Sequence, residues 1–227
     1  MNQTIDIHNF GIVRLDGHDA GDLSVVNAAR VSFGKHKSEL DPADEGLISF
    51  LMRERHGTPF EHNSFRFHVR TPIFVAREWF RHRIGSFNEF SGRYAEMPTN
   101  AYMPDVRSIR SQVGKPGAYS FERLPEEIAL DAQTNIALAY RQAFDSYRKL
   151  LSMGVAKEQA RIVLPVGTYT EFYWTVNARS LMNFLSLRTH STAMAEIRDY
   201  ADAVEEFFKE LMPVTWAAWV ANNRVAP

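Results

Sequence analysis

The chain has 227 residues, 45% of them hydrophobic and 23% charged, a profile that buries roughly 70% of the unfolded surface without a metal or disulfide staple. It contains no cysteine, which excludes disulfides, thiolate zinc sites, iron–sulfur clusters and cysteine nucleophiles. A formal net charge of −1 argues against a protein that coats nucleic acid. Met1 to Arg14 lacks the basic-then-apolar pattern of a signal peptide. No apolar run reaches the roughly 20 residues of a membrane span. One soluble, cytoplasmic domain covering residues 1–227 is expected, with no metal site.

In chain order, Ile5 to Leu15 reads as a strand region broken by Gly11, and Asp22 to Arg30 as a helix of about two turns. Asp41 can cap a second helix with Pro42 at its first position, closed by His56-Gly57. Ser64 to Arg70 alternates Phe65, Phe67 and Val69 with Arg66, His68 and Arg70, a half-buried strand. Thr71-Pro72 opens a helix that runs into Arg81-His82-Arg83. Pro98 to Pro125, with Gly114-Lys115-Pro116-Gly117, is the longest loop-like stretch and predicts a lid or binding loop. A long amphipathic helix follows from Pro125 to Met153, ended by Gly154, then a short one that stops at Leu164-Pro165. Thr168 to Val176 is β-branched and aromatic, hence a strand. Asn177 can cap a helix from Ala178 to Leu187. A last helical region spans Ala193 to Leu211, before a short aromatic tail at Trp216 to Val220. The fold class is mixed α/β, strands scattered among many helices.

The segment Arg77 to Arg93 carries four arginines against two glutamates, with His82 in addition. Between Arg83 and Arg93 the residues are small, polar and punctuated by glycine. Hydroxyls, an amide and backbone N–H groups thus lie close in sequence to guanidinium forks, the combination that a phosphate or pyrophosphate requires. Arginines at a helix end can also simply complement the helix dipole. Ser86, Asn88, Glu89 and Ser91 tilt the balance, because a helix end needs none of them.

Arg81-His82-Arg83, Ser86, Asn88, Ser91 and Arg93 fit the pattern Arg-His-Arg-x-x-Ser-x-Asn-x-x-Ser-x-Arg, seven specified positions in thirteen residues. This pattern resembles the signature of the flavin-dependent thymidylate synthases. His56-Gly-Thr-Pro-Phe-Glu-His62, Ala160-Arg-Ile-Val-Leu-Pro165 and the run Trp174 to Leu185 resemble further blocks of that family, in the expected order. The likeness covers roughly Leu23 to Met212.

The resemblance implies methylation of dUMP to dTMP, with methylenetetrahydrofolate as carbon donor and FAD, reduced by NADPH, as hydride source. No enzyme thiol takes part, in keeping with the absent cysteines. By position, Thr58, Arg81, His82, Arg83 and Glu89 would hold FAD, joined by Asn177, Ala178, Arg179 and Asn183. The dUMP would lie against Glu78, Trp79, Phe80 and Arg81, against Glu89, Phe90, Ser91, Gly92 and Arg93, and against Arg161 and Arg188. The family assigns the residue at Arg188 the activation of dUMP by favouring the ionised ring, as a positive charge does for any neighbouring acid. The family fold assembles as a homotetramer with active sites shared between subunits. Two positions depart from the pattern: Glu78 stands where many relatives carry glutamine, and the run Thr189 to Glu196 lacks a glutamine near Met194.

Several residues have a plainer reading. Arg188 can serve as a dipole partner at a helix end. Ser91 lacks an adjacent base in sequence, so a binding role is favoured over a nucleophilic one. Glu61 and His62 read as a surface turn, and His56 as part of a helix end. Phe65, Phe67, Phe74, Trp79, Phe80, Tyr173 and Trp174 read as core before flavin stack. Three rival functions remain in view: a nucleic-acid rail, a nucleotide-binding module without catalysis, and a helical structural protein. The rail speaks for steep salt dependence, which the near-neutral charge does not support. No phosphate-loop or Gly-x-Gly-x-x-Gly motif is present.

Overall fold

A computed structural model describes residues 3–227, so Met1 and Asn2 of the predicted domain lie outside the described residues. The chain forms two compact units, one of Met1–Thr71, Val75–Phe90 and Glu171–Pro227, the other of Pro72–Phe74 and Ser91–Thr170.

The first unit is built on a mixed-order sheet. Its strands are β1 (Thr4–Ile7), β2 (Gly11–Asp19), β3 (Ser64–Pro72), β4 (Ser86–Glu89) and, by the chain numbering used below, β7 (Tyr169–Val176), in the order β1-β2-β3-β7-β4. The predicted strand Ile5 to Leu15 is a hairpin, with Ile7 paired to Gly11. The alternation in β3 is realised: Phe65, Phe67 and Val69 are fully buried, while Arg66 is exposed. β4 is the sheet's edge and pairs antiparallel with β7 from Ser86↔Thr175 to Glu89↔Phe172. Part of the backbone expected to be free between Arg83 and Arg93 is therefore used in sheet pairing.

Helices α1 (Asp22–Arg30), α2 (Pro42–Arg53) and α3 (Ile73–Trp79) accompany the first strands. Asp41 caps α2 in a full capping box with Asp44. Asp44 is buried and accepts from Arg30 at 2.6 Å and Lys37 at 2.5 Å. Burial opposes its charge, but the bonds from Lys37, the Asp41 amide and Arg30 outweigh that and hold its pKa at about 2. α2 ends at Arg53, ahead of the predicted close at His56-Gly57, and the left-handed residue after it is Arg55 (φ 59°).

Trp79 closes α3 inside the core. Its ring centroid lies 4.7 Å from Phe184, 5.3 Å from Trp174 and 5.4 Å from Phe172. Each such buried aromatic contributes roughly 1.5–3 kcal/mol by leaving water. α6 (Ala178–Arg188) and α7 (Ala195–Leu211) add Leu181, Phe184, Leu185, Val204, Phe207 and Phe208 to this core. α8 (Pro213–Ala221) replaces the predicted aromatic tail. Its N-terminus is capped from far away: the Asp22 carboxylate accepts from the Val214 and Thr215 amides at 3.0 and 2.8 Å. A cap supplied across 192 residues leaves no local signal.

The second unit holds the hairpin β5 (Arg110–Lys115) and β6 (Ala118–Arg123), with α4 (Glu126–Ser152) and α5 (Lys157–Ala160). The hairpin occupies the stretch expected as loop. Its turn residues Pro116-Gly117 suit a tight reversal, with Gly117 at φ 85°. Most of its residues are exposed on both faces, so no period-two hydrophobic pattern marks the strands. α4 ends as predicted near Gly154, which sits at φ 82°. Met97 is anchored here by donating its backbone N–H to Tyr147 Oη at 2.9 Å.

Candidate active site

The Arg-His-Arg run lies where α3 unwinds. Phe80 still donates to Ala76 O, and the amides of Arg81 and His82 turn back on Glu78 O and Trp79 O at 3.3 and 3.0 Å. The buried Trp79 fixes this end, so the residues on either side project from a rigid base. Arg81 and Arg83 are exposed, and neither guanidinium makes an ion pair or side-chain hydrogen bond among the described residues. Such unpaired guanidinium groups remain open to an anionic ligand.

His82 turns the other way. Its ring lies 5.0 Å from Phe184, and its Nε2 accepts from Arg188 Nε at 3.0 Å. An arginine Nε–H can only donate, so His82 is neutral with its proton on Nδ1. Burial first, then the positive charge of Arg188, lowers its pKa to about 4. Arg188, the last residue of α6, also donates from Nη1 to the Glu78 carboxylate at 3.2 Å and from Nη2 to the Glu78 carbonyl at 3.1 Å.

α6 begins with Asn177, whose side chain accepts from the Ser180 amide at 2.8 Å. Arg179 and Asn183, four residues apart, face one side as predicted. With His82, Ile84, Asn177, Ser180, Arg55, Glu61, Ala226 and Pro227 they line a cleft of about 580 Å³. Arg179 is held in its wall, donating to Glu61 Oε1 at 2.6 Å and to Pro227 O at 2.7 Å. Gly57 makes room for it, because a Cβ there would stand 2.5 Å from Arg179 Nε. Thr58 is exposed at the start of the short 3₁₀ turn Thr58–Glu61.

Glu61 and Pro227 were not foreseen as site residues. Their link to Arg179 spans 118 and 48 residues, and no sequence pattern records it. His56 stacks on Phe50 at 5.7 Å instead of capping a helix. Of the aromatics read as core, Phe65, Phe67, Trp79 and Trp174 are fully buried, whereas Tyr173 is 39% exposed. The Trp79 indole therefore cannot meet a ligand, and any contact there falls to the main chain. Ala178 is likewise fully buried. Phe80 packs on Phe87 and Phe172 at 5.0 and 4.9 Å. Glu89 is exposed on the edge strand, and Phe90 donates its amide to Glu171 O at 2.8 Å.

In the second unit, Ser91 opens a turn whose Tyr94 and Ala95 amides both donate to its carbonyl at 3.1 Å. Its Oγ accepts from the Arg93 amide at 3.3 Å, the work of a turn residue. Gly92 is packed so closely that a Cβ would stand 2.6 Å from Met97 Sδ and 3.0 Å from Arg161 Cδ. Arg93 and Arg161 converge on one residue: Arg93 Nε reaches the Glu158 carboxylate at 3.3 Å, Arg161 Nε the Glu158 carbonyl at 3.4 Å. Of the two guanidinium groups only that of Arg93 meets the carboxylate, so the Arg161 charge has no counter-ion among the described residues. Among the described residues no cluster of His, Asp and Glu could hold a metal ion, and no helix is long and apolar enough to cross a membrane.

Known proteins resemble this chain over nearly its whole length. Residues 15–214 match the family model described as thymidylate synthase complementing protein. The flavin-dependent thymidylate synthase of Thermosipho melanesiensis is 50% identical over 216 residues, covering 94% of this chain and 92% of that protein. The enzyme of the same name from Tropheryma whipplei is 47% identical over 229 residues, covering 95% and 94%. Among solved structures, the UMP/dUMP methylase PolB from Streptomyces cacaoi, bound with 5-Br UMP, superposes with a TM-score of 0.89 at 44% identity, covering 98% of this chain and 100% of that one. Signature, fold and relatives coincide over nearly the whole length, and the chain belongs to the flavin-dependent thymidylate synthase family.

Proposed function

We propose that residues 1–227 act as one catalytic domain that methylates dUMP to dTMP, with FAD as its flavin. Methylenetetrahydrofolate supplies the carbon and NADPH the hydride: dUMP, methylenetetrahydrofolate, NADPH and a proton yield dTMP, tetrahydrofolate and NADP⁺. The carrying observation is the His82 bridge. One face of this residue lines the polar cleft, and its Nε2 accepts from Arg188.

The residues of the cleft suit a flavin dinucleotide. Arg81 and Arg83, beside His82 but not in the cleft lining, have no counter-ion among the described residues, so they are available to the pyrophosphate. Arg179, Asn183 and Asn177 offer a fixed cation and two amides along the wall; Thr58, Glu89 and the Ala178 main chain, which do not line the cleft, are further contacts that the family resemblance gives to the flavin. When bound, the flavin supplies the hydride-transfer chemistry that no side chain can. Arg188 favours the ionised uracil, raising electron density where the new carbon bond forms. For dUMP, Arg93, Arg161, Ser91 and the Gly92 amide offer contacts to a phosphate, and Glu78, Phe80, Arg81 and Phe90 are the residues of the first unit that the same reading gives to the nucleotide. The reading gives Ser91 a binding role, supported by its Oγ accepting from the Arg93 amide and by His82 Nε2 being occupied by Arg188. Assembly as a homotetramer with shared sites is part of the same reading. Ile84, which lines the cleft, is 74% exposed, and Leu187, next to Arg188, is 55% exposed; apolar groups so placed suit a subunit contact.

The test is to record the visible spectrum of the purified protein, then supply dUMP, methylenetetrahydrofolate and NADPH and assay dTMP. Flavin bands and dTMP are expected, and UMP offered in parallel reads sugar specificity. A colourless protein that neither takes up FAD nor forms dTMP would overturn the reading.

A further inference from the structure

We propose that Glu78 is a positioning residue for Arg188. Together with His82 it clamps the guanidinium in one orientation and leaves two N–H bonds for the pyrimidine. The inference rests on the reading that Arg188 meets the uracil ring.

A guanidinium carries five N–H donors in one plane. Three are taken: Nε by His82 Nε2 at 3.0 Å, Nη1 by the Glu78 carboxylate at 3.2 Å and Nη2 by the Glu78 carbonyl at 3.1 Å. Contacts on all three nitrogens stop rotation about the Cδ–Nε bond and tilting of the plane. One N–H on each Nη remains. The clamp is itself anchored, because Glu78 and His82 flank Trp79, which is fully buried. The Glu78 carbonyl uses its second lone pair for the Arg81 amide at 3.3 Å, which ties the clamp to the Arg-His-Arg run.

Glu78 thus does two separable things. Its oxygen atoms orient Arg188, and its negative charge offsets the positive charge that Arg188 presents to the ring. The two side chains are only 35% and 19% exposed, so water does not fully screen that offset. Glutamine at this position keeps the accepting oxygen and removes the charge. Alanine removes both, leaving only the main-chain carbonyl and His82.

The experiment pairs steady-state kinetics with ¹⁵N NMR of histidine-labelled protein, in the wild type, Glu78→Gln and Glu78→Ala. The wild type is expected to show His82 protonated on Nδ1, with Nε2 accepting. Glu78→Gln keeps that signature, while the pH midpoint of its kcat profile on dUMP moves to lower pH, because a fuller positive charge ionises the ring more readily. Glu78→Ala is expected to mix the His82 tautomers and to lower kcat at least about tenfold, with a smaller change in KM. A Glu78→Ala protein with the wild-type tautomer and kcat overturns the proposal. Should that variant not fold, a Glu78→Gln protein whose pH midpoint equals the wild type's overturns it. A wild type that forms no dTMP, yet loses the His82 signature in Glu78→Ala, upholds the clamp and overturns the functional reading instead.

Discussion

Two pairs of arginines belong to the first unit, Arg81 and Arg83 after α3 and Arg179 and Arg188 on α6, and their surroundings are opposite. Arg188 and Arg179 are held by partners: Arg188 by Glu78 and His82, Arg179 by Glu61 and the Pro227 carbonyl. Arg81 and Arg83 are exposed and unpaired among the described residues. A held guanidinium has already lost its rotamer freedom, so it can present charge in a set direction without ordering cost at the moment of binding. A free one acts at longer range and pays that cost when a ligand arrives. Under the proposed function this contrast becomes a division of labour: the free pair draws in and grips an anionic group, and the held pair orients what has been bound.

The sharpest way to break this division is Arg188→Ala. Loss of an oriented charge that acts on the reacting ring is expected to lower kcat on the order of 10²–10³-fold, with weaker dUMP binding, measured by steady-state kinetics and equilibrium titration. Wild-type turnover in that variant would remove Arg188 from the chemistry. Next in size, Arg81→Ala or Arg83→Ala is expected to weaken FAD by about 1.5–3 kcal/mol each, read by flavin fluorescence. The loss should shrink as salt rises, since exposed charges are screened. Equal losses at low and high salt would contradict the assignment of this pair as free, long-range cations.

Gly57→Ala addresses the held pair without touching a charge. The new methyl would displace the Arg179 side chain, and FAD affinity is expected to fall about tenfold while the melting temperature changes little. Unchanged affinity would mean that the position of Arg179 in the wall does not matter. The smallest effect concerns pH. His82 titrates near 4 in the folded protein, against an ordinary value of 6.5. Between those values the unfolded chain binds the proton that the folded chain refuses, so stability falls as pH drops from 6.5 towards 4. His82→Gln, which keeps an accepting atom for Arg188, is expected to flatten the fall of melting temperature across that window. An identical slope would show that His82 is not the group responsible.

Local signals found most of the elements. The alternation in β3, the Asp41-Pro42 start of α2 and the Asn177 cap of α6 all depend on residues within one turn or one strand of each other. The β5–β6 hairpin escaped because its exposed strands carry no apolar face to reveal the period. α8 escaped because its cap is Asp22, nearly the whole chain away. The candidate site divides in the same manner. Arg-His-Arg and the serine and asparagine spacing lie together in sequence and could be recognised there. Glu61 was passed over as a surface turn because its partner is 118 residues distant.

The sequence by itself determined the class of the molecule. The absence of cysteine ruled out thiol chemistry, the periodicities set out most helices and strands, and the thirteen-residue signature carried the family. Only the tertiary structure decided which of these arginines are held and which are free. Whether a guanidinium is held or free depends on acceptors brought in by other elements, and whether His82 is neutral depends on burial and on Arg188 at 106 residues' remove. Charge state and orientation are properties of an environment, and that environment exists only once the sheet and α6 have packed around Trp79.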